Sequence, residues 1–227
     1  MNNLSPKRNL FEELTDKAQL KQKVYSNTLD TFGLLSLAMH SIVEDYRNFQ
    51  KKNKETVPFE LKPKGDFELE LKFAGDVLIF LMHTNVFEFS RNHEVMNTSY
   101  VKEDKERSYC GVINIFNFLA DSFKYNRVND IGYLIGRVFV NKDMHYFIEG
   151  KREIGLLYNN FNTAVMNETS AREIVESAIR YTINFDLLTP PYENMKEITL
   201  YEMRSTLDSI TLKTGKRLGF KFQADKD

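Results

Sequence analysis

From Phe11 to Phe49 the chain carries apolar residues at steps of three and four without a slip: Phe11, Leu14, Ala18, Lys21, Tyr25, Thr28, Phe32, Leu35, Met39, Ile42, Tyr46, Phe49. Ten of these twelve positions are apolar or aromatic. At 3.6 residues per turn this spacing puts one stripe along one face of a helix, and the rest of the chain must pack around it. From Phe32 onward, Leu34, Leu37, Ala38 and Val43 widen the stripe to the breadth of a buried helix. Before that point it is narrow and flanked by charge, the pattern of a helix that meets another helix. Ser26, Thr28, Thr31 and Gly33 lower helix propensity, so a break is expected near Tyr25 to Thr31.

A helix of this length needs a partner layer, and the pattern after Pro58 changes to period two. Phe67 to Phe73 alternates apolar and charged residues, which is a half-buried strand, and Val77 to Phe89 follows as a second strand after Ala74-Gly75-Asp76. Residues 90–108 are almost wholly polar and read as a long surface loop. In Val112 to Tyr125 the polar residues Asn114, Asn117, Asp121 and Lys124 recur at helical steps, so a helix is expected there. A second hairpin follows, Gly132 to Val140 and Met144 to Gly150, with Ile154 to Asn159 as a candidate fifth strand. Ser170-Ala-Arg-Glu173 and Thr199-Leu-Tyr-Glu202 match capping boxes that open two C-terminal helices. Leu200, Met203 and Leu207 are the expected inward face of the second, and a small hairpin about Thr214-Gly215 closes the chain.

The expected fold is therefore α+β. It has an antiparallel sheet of two hairpins with an intervening helix, and a long N-terminal helix and C-terminal helices packed on it. Residues 1–55 form the N-terminal helical segment and 56–227 the α+β domain, together one compact unit. GAF, PAS and longin/profilin-like domains have broadly this order of elements; the similarity is one of order alone and implies no function.

Composition excludes several classes. Lys plus Arg is 31 against 32 for Asp plus Glu, which offers no overall attraction to nucleic acid or an anionic membrane. One cysteine, Cys110, excludes an internal disulfide and reads as a small core residue. The longest apolar run, Val77 to Met82, is too short to span a bilayer, and no apolar leader precedes Phe11. A soluble cytoplasmic protein is expected. The chain has no phosphate-cradling glycine loop, no dinucleotide fingerprint, no His-Glu-x-x-His pair and no Gly-x-Ser-x-Gly elbow. The four histidines show no ligand spacing, so no metal or cofactor is predicted from them.

Two constellations remain. Asp130 before one strand and Glu149-Gly-Lys151 at the end of the next resemble, in spacing, the Asp…Glu-x-Lys pattern of the PD-(D/E)xK nucleases. The resemblance implies two carboxylates on a divalent cation such as Mg²⁺, with lysine beside the attacking water, and a nucleic-acid substrate. The other is a set of polar residues among apolar runs, His83, Asn85, Asn114, Asn117 and Arg137, which suit the lining of a small-molecule pocket. The reading taken forward is a non-catalytic binding protein, a sensor, adaptor or regulatory subunit, with the nuclease on Asp130, Glu149 and Lys151 as the alternative. Phe11, Leu14, Ala18 and Tyr25 are the expected interface of a homodimer, and the partner is a small molecule or a protein.

Overall fold

A computed structural model describes residues 9–53, 57–150, 160–186, 189, 191–201 and 203. The apolar stripe forms one unbroken helix, α1 (Leu10–Asn53), of 44 residues and roughly 66 Å. The expected break is absent for a visible reason. The Thr28 and Thr31 hydroxyls donate to the carbonyls of Val24 and Asn27 one turn back, at 2.7 and 2.9 Å, so these poor helix formers are satisfied within the helix and buried against the sheet.

Seven strands make one antiparallel sheet: β1 (Phe59–Pro63), β2 (Glu68–Phe73), β3 (Asp76–Met82), β4 (Phe87–Glu88), β5 (Tyr109–Leu119), β6 (Tyr133–Asn141) and β7 (Tyr146–Gly150). The order is β1-β2-β3-β5-β6-β7, with β4 also paired to β5. The α+β class and the antiparallel sheet are as expected. The intervening helix is not: residues 109–119 are the central strand, and only α3 (Ala120–Lys124) is helical. One face of β5 is buried under the helices and the first half of the other under the cover, so apolar residues occupy both alternations and the period of two is hidden. Asn114 and Asn117, placed together on a helix face by spacing, point to opposite faces of the strand. The segment after Pro58 also forms an edge strand, β1, ahead of the expected first strand.

One face of the sheet is covered by α1 and α4 (Glu168–Ile183) around a single core that includes Leu35, Met39, Leu71, Phe80, Ile113 and Ile174. A Cβ on Gly111 would collide with the Thr28 side chain, so the glycine lets α1 press directly on β5. Asn27 fixes the crossing by donating to the carbonyls of Asn141 and Lys142 at 2.9 and 2.8 Å. Arg172 of α4 reaches Asp45 at 2.7 Å and Ser41 at 2.9 Å, clamping the two helices side by side. The cap of α4 sits three residues earlier than expected: Asn167 is the N-cap and exchanges hydrogen bonds with Ser170, both at 2.9 Å.

The other face is covered over half its width. Residues 90–108 are not a loose loop but a folded cover, made of 3₁₀ turns at Glu94–Asn97 and Lys105–Ser108 flanking α2 (Ser99–Glu103). Val95, Tyr100 and Val101 are buried over Cys110, Val112, Phe139 and Phe147. Beyond the cover, Leu81 and Leu134 on this face are exposed, while Val77 and Glu70 on the same face are buried. Near the described C-terminal end, Leu200 and Met203 are exposed rather than inward. The expected strand Ile154 to Asn159, Leu207 and the hairpin about Thr214-Gly215 lie outside the described residues. Among the described residues no helix is long and apolar enough to cross a membrane.

Candidate functional site

Where the cover meets the open half of the sheet, the edge of β5 is irregular. Met82 faces Ile113 and Phe87 faces Cys110, so four residues, 83–86, span the length of two. Such a bulge turns side chains away from the regular pleat and is a usual device beside binding sites. It begins at His83, whose backbone N–H still reaches the Val112 carbonyl at 2.9 Å.

The bulge opens a cleft of about 320 Å³. Phe87, Phe89 and Phe139 contribute aromatic rings, and Phe89 lies 5.0 Å from Phe139 and 4.6 Å, stacked, from His93. Cys110 and Val112 line it from β5. Burial pushes the Cys110 thiol well above its ordinary pKa, which keeps it a neutral apolar residue rather than a nucleophile, as expected from sequence.

The polar groups come from strands β4 to β7, the bulge and the cover. Asn114 on β5 is half-buried, and its side chain makes no hydrogen bond among the described residues. Arg137 on β6 and Glu149 on β7 face each other across the strands and form an ion pair beside it. The two histidines share one arrangement. The Asn85 backbone N–H donates to His83 Nδ1 at 3.0 Å, and the Val95 N–H donates to His93 Nδ1 at 3.3 Å. With Nδ1 accepting, a neutral ring carries its proton on Nε2, which is then a donor. Glu88 also lines the cleft and accepts from the Tyr109 hydroxyl at 2.6 Å.

Of the five pocket residues nominated by sequence, His83, Asn114 and Arg137 come together here. Asn85 is exposed and acts through its backbone on His83. Asn117 is buried on the helix-covered face, where its amide donates to Asp76 at 3.3 Å. Reading Val112 to Tyr125 as a helix pairs it with Asn114; in strand β5 it faces away from the cleft. His93 escapes notice because residues 90–108 read as a loop, and Phe89 because Val77 to Phe89 reads as one continuous strand. The alternation in Phe87-Glu88-Phe89 was the available signal.

Two of the three nuclease residues are described, and each has its own partners. Asp130 sits in the β5–β6 connection, held by Arg127 at 2.9 Å and by the Ser122 hydroxyl at 2.6 Å. Glu149 is paired with Arg137 in the cleft, and Lys151 lies outside the described residues. No group of three or more His, Cys, Asp or Glu among the described residues is placed to hold a metal.

A separate polar network fixes the cover. The Tyr100 hydroxyl donates to Asp143 and accepts from Asn141, both at 3.0 Å, while its ring stacks on His145 at 4.7 Å. Burial, with the neighbouring Asp143 carboxylate, pushes the Tyr100 pKa up to about 12. Lys142 reaches Asp104 at 2.7 Å, and this bond holds the Asp104 carboxyl below its ordinary pKa. Burial alone would favour neutral Lys142, but hydrogen bonds to Asp104 and Glu106 carry its pKa above the usual value. The cover is thus tied to the β6–β7 turn by polar contacts and seats the rim of the cleft. No family model matches the chain, and no curated protein or solved structure matches it.

Proposed function

We propose that the chain acts by binding, as a non-catalytic sensor, adaptor or regulatory subunit that takes a small molecule into the cleft beside the His83 bulge. One observation carries this reading. The half-buried Asn114 amide, with no hydrogen bond of its own among the described residues, opens into an aromatic cleft between an ion pair and His83. The Asn114 amide keeps contact with solvent in the cleft, and a ligand whose donors and acceptors replace that water is held in one orientation. The test is native mass spectrometry of the protein purified under mild conditions. A bound small-molecule mass that disappears in Asn114→Leu is the expected result, and a mass retained in the variant, or none in wild type, counts against the cleft.

The same module is proposed to self-associate through the projecting end of α1. Leu10, Phe11 and Leu14 are 65–70% exposed there, with Ala18 beside them, before α1 is first buried at Leu20. Tyr25 is half-buried against the main core and belongs to the protomer's own packing. Glu12, Glu13 and Asp16 precede Lys17, Lys21 and Lys23 on this stretch, so two copies running antiparallel set acidic against basic turns. Phe11→Glu with Leu14→Glu is expected to halve the mass seen by light scattering; an unchanged mass overturns the dimer.

A further inference from the structure

The cleft holds more information than its position, because backbone N–H groups orient its two histidines and the side chains that line it set its charge. Resting on the binding reading above, we infer that its ligand is an uncharged planar heteroaromatic ring of the nucleobase kind, carrying ring N–H donors and carbonyl or ring-nitrogen acceptors, and without a phosphate.

Shape comes first. Three phenylalanine rings and the His83 and His93 imidazoles line a space of about 320 Å³, which favours a flat ring that stacks. His83 already packs edge-on to Phe87 at 4.8 Å, and His93 lies flat on Phe89, so the rings are held before a ligand arrives.

The donor and acceptor pattern comes second. Both histidines use Nδ1 to accept a backbone N–H, which leaves Nε2–H as the free donor on each neutral ring. Asn114 offers one donor group and one acceptor side by side. Arg137 donates to Glu149, leaving further guanidinium N–H groups on one and a second carboxylate oxygen on the other. A purely apolar ring leaves the Asn114 amide unpaired, and a simple carboxylate meets the donors but not the acceptors. A ring edge with both kinds of group, as in a purine or pyrimidine base, answers all of them.

Charge comes third. Ionised residues lining the cleft are two carboxylates, Glu88 and Glu149, against one guanidinium, Arg137, which is already paired. That balance opposes a phosphate and accepts a neutral ring.

The test titrates the ¹⁵N-labelled full chain with hypoxanthine, inosine monophosphate and indole, reading backbone amide shifts. Hypoxanthine is expected to shift residues 83–89 and Asn114, and to bind about tenfold or more tighter than indole, the margin of one hydrogen bond between buried groups. Inosine monophosphate is expected to bind more weakly than the free base. Asn114→Leu, and independently His83→Phe, should each weaken hypoxanthine but not indole. If indole or the monophosphate shifts the cleft as strongly as hypoxanthine, the nucleobase assignment falls while the binding cleft stands. If no probe shifts the cleft, the assignment falls and the binding reading loses its support as well.

Discussion

The two faces of the sheet are built on different terms. The face under α1 and α4 is continuous and apolar, and its central side chains, Leu35, Met39, Phe80 and Ile113, have no exposed surface. The opposite face is covered by short 3₁₀ and helical turns that hold on through a network of Tyr100, Asn141, Asp143, Arg107 and Lys142. Burial of apolar area does the stabilising on the first face, at about 25 cal/mol per Å². On the second, each polar contact contributes about 0.5–1.5 kcal/mol net, but its geometry decides where the cleft rim lies. One face holds the fold together and the other leaves polar groups free for a ligand.

The sharpest way to break this comparison is to damage the helix face. Phe80→Ala removes a fully buried ring and should cost about 3–5 kcal/mol, read by chemical denaturation. Gly111→Ala drives a methyl into Thr28 and should cost about 1–3 kcal/mol, partly relieved when Thr28→Ala removes Oγ1 and Cγ2 and leaves only Cβ close; no relief at all would mean that α1 does not press on β5 there.

The cover should respond less and locally. Tyr100→Phe removes a hydroxyl shared by Asn141 and Asp143 and should cost about 1–2 kcal/mol. Hydrogen exchange should quicken over residues 94–108 and remain unchanged in β2 and β3; uniform quickening would show that the cover is not a separate unit.

Its pH dependence has two flanks. The Tyr100 pKa is raised to about 12 in the folded chain from an ordinary 10.0, so its contribution is complete below 10 and is lost as pH rises through about 12. A tyrosinate absorbance step near that pH, absent in Tyr100→Phe, checks it. The folded pKa of Asp104 lies below its ordinary 3.8, so its contribution is present above that value and is lost as pH falls through the lower folded one. Asp104→Asn should flatten the acid flank slightly, since the group is near the surface and screened by solvent.

What was legible in the sequence follows the same division. The helix face announces itself, because the stripe from Tyr25 to Tyr46 and the alternation of Phe67 to Phe73 each carry an apolar side that the fold buries or half-buries. The cleft face was legible in its residues but not in their placement. His83, Asn114 and Arg137 stood out as polar groups in apolar runs, yet β5, buried on one face and over the first half of the other, has no polar alternation to mark it as a strand. The cover was hidden by its composition. Val95, Tyr100 and Val101 of it enter the core with Met96 packed against them and Ser108 buried, and most of its other residues are polar, as a loop's would be.

The most direct test of the division between a stabilising face and a binding face is a thermal-shift screen run in parallel on wild type and Asn114→Leu. Replacing a half-buried amide that has no hydrogen bond among the described residues should leave the unliganded midpoint unchanged or slightly higher. A ligand at one hundred times its dissociation constant should add about 2.7 kcal/mol to wild type and much less to the variant. A compound that stabilises both proteins equally would place the binding site elsewhere, and an Asn114→Leu protein that unfolds well below wild type would show that Asn114 serves the fold.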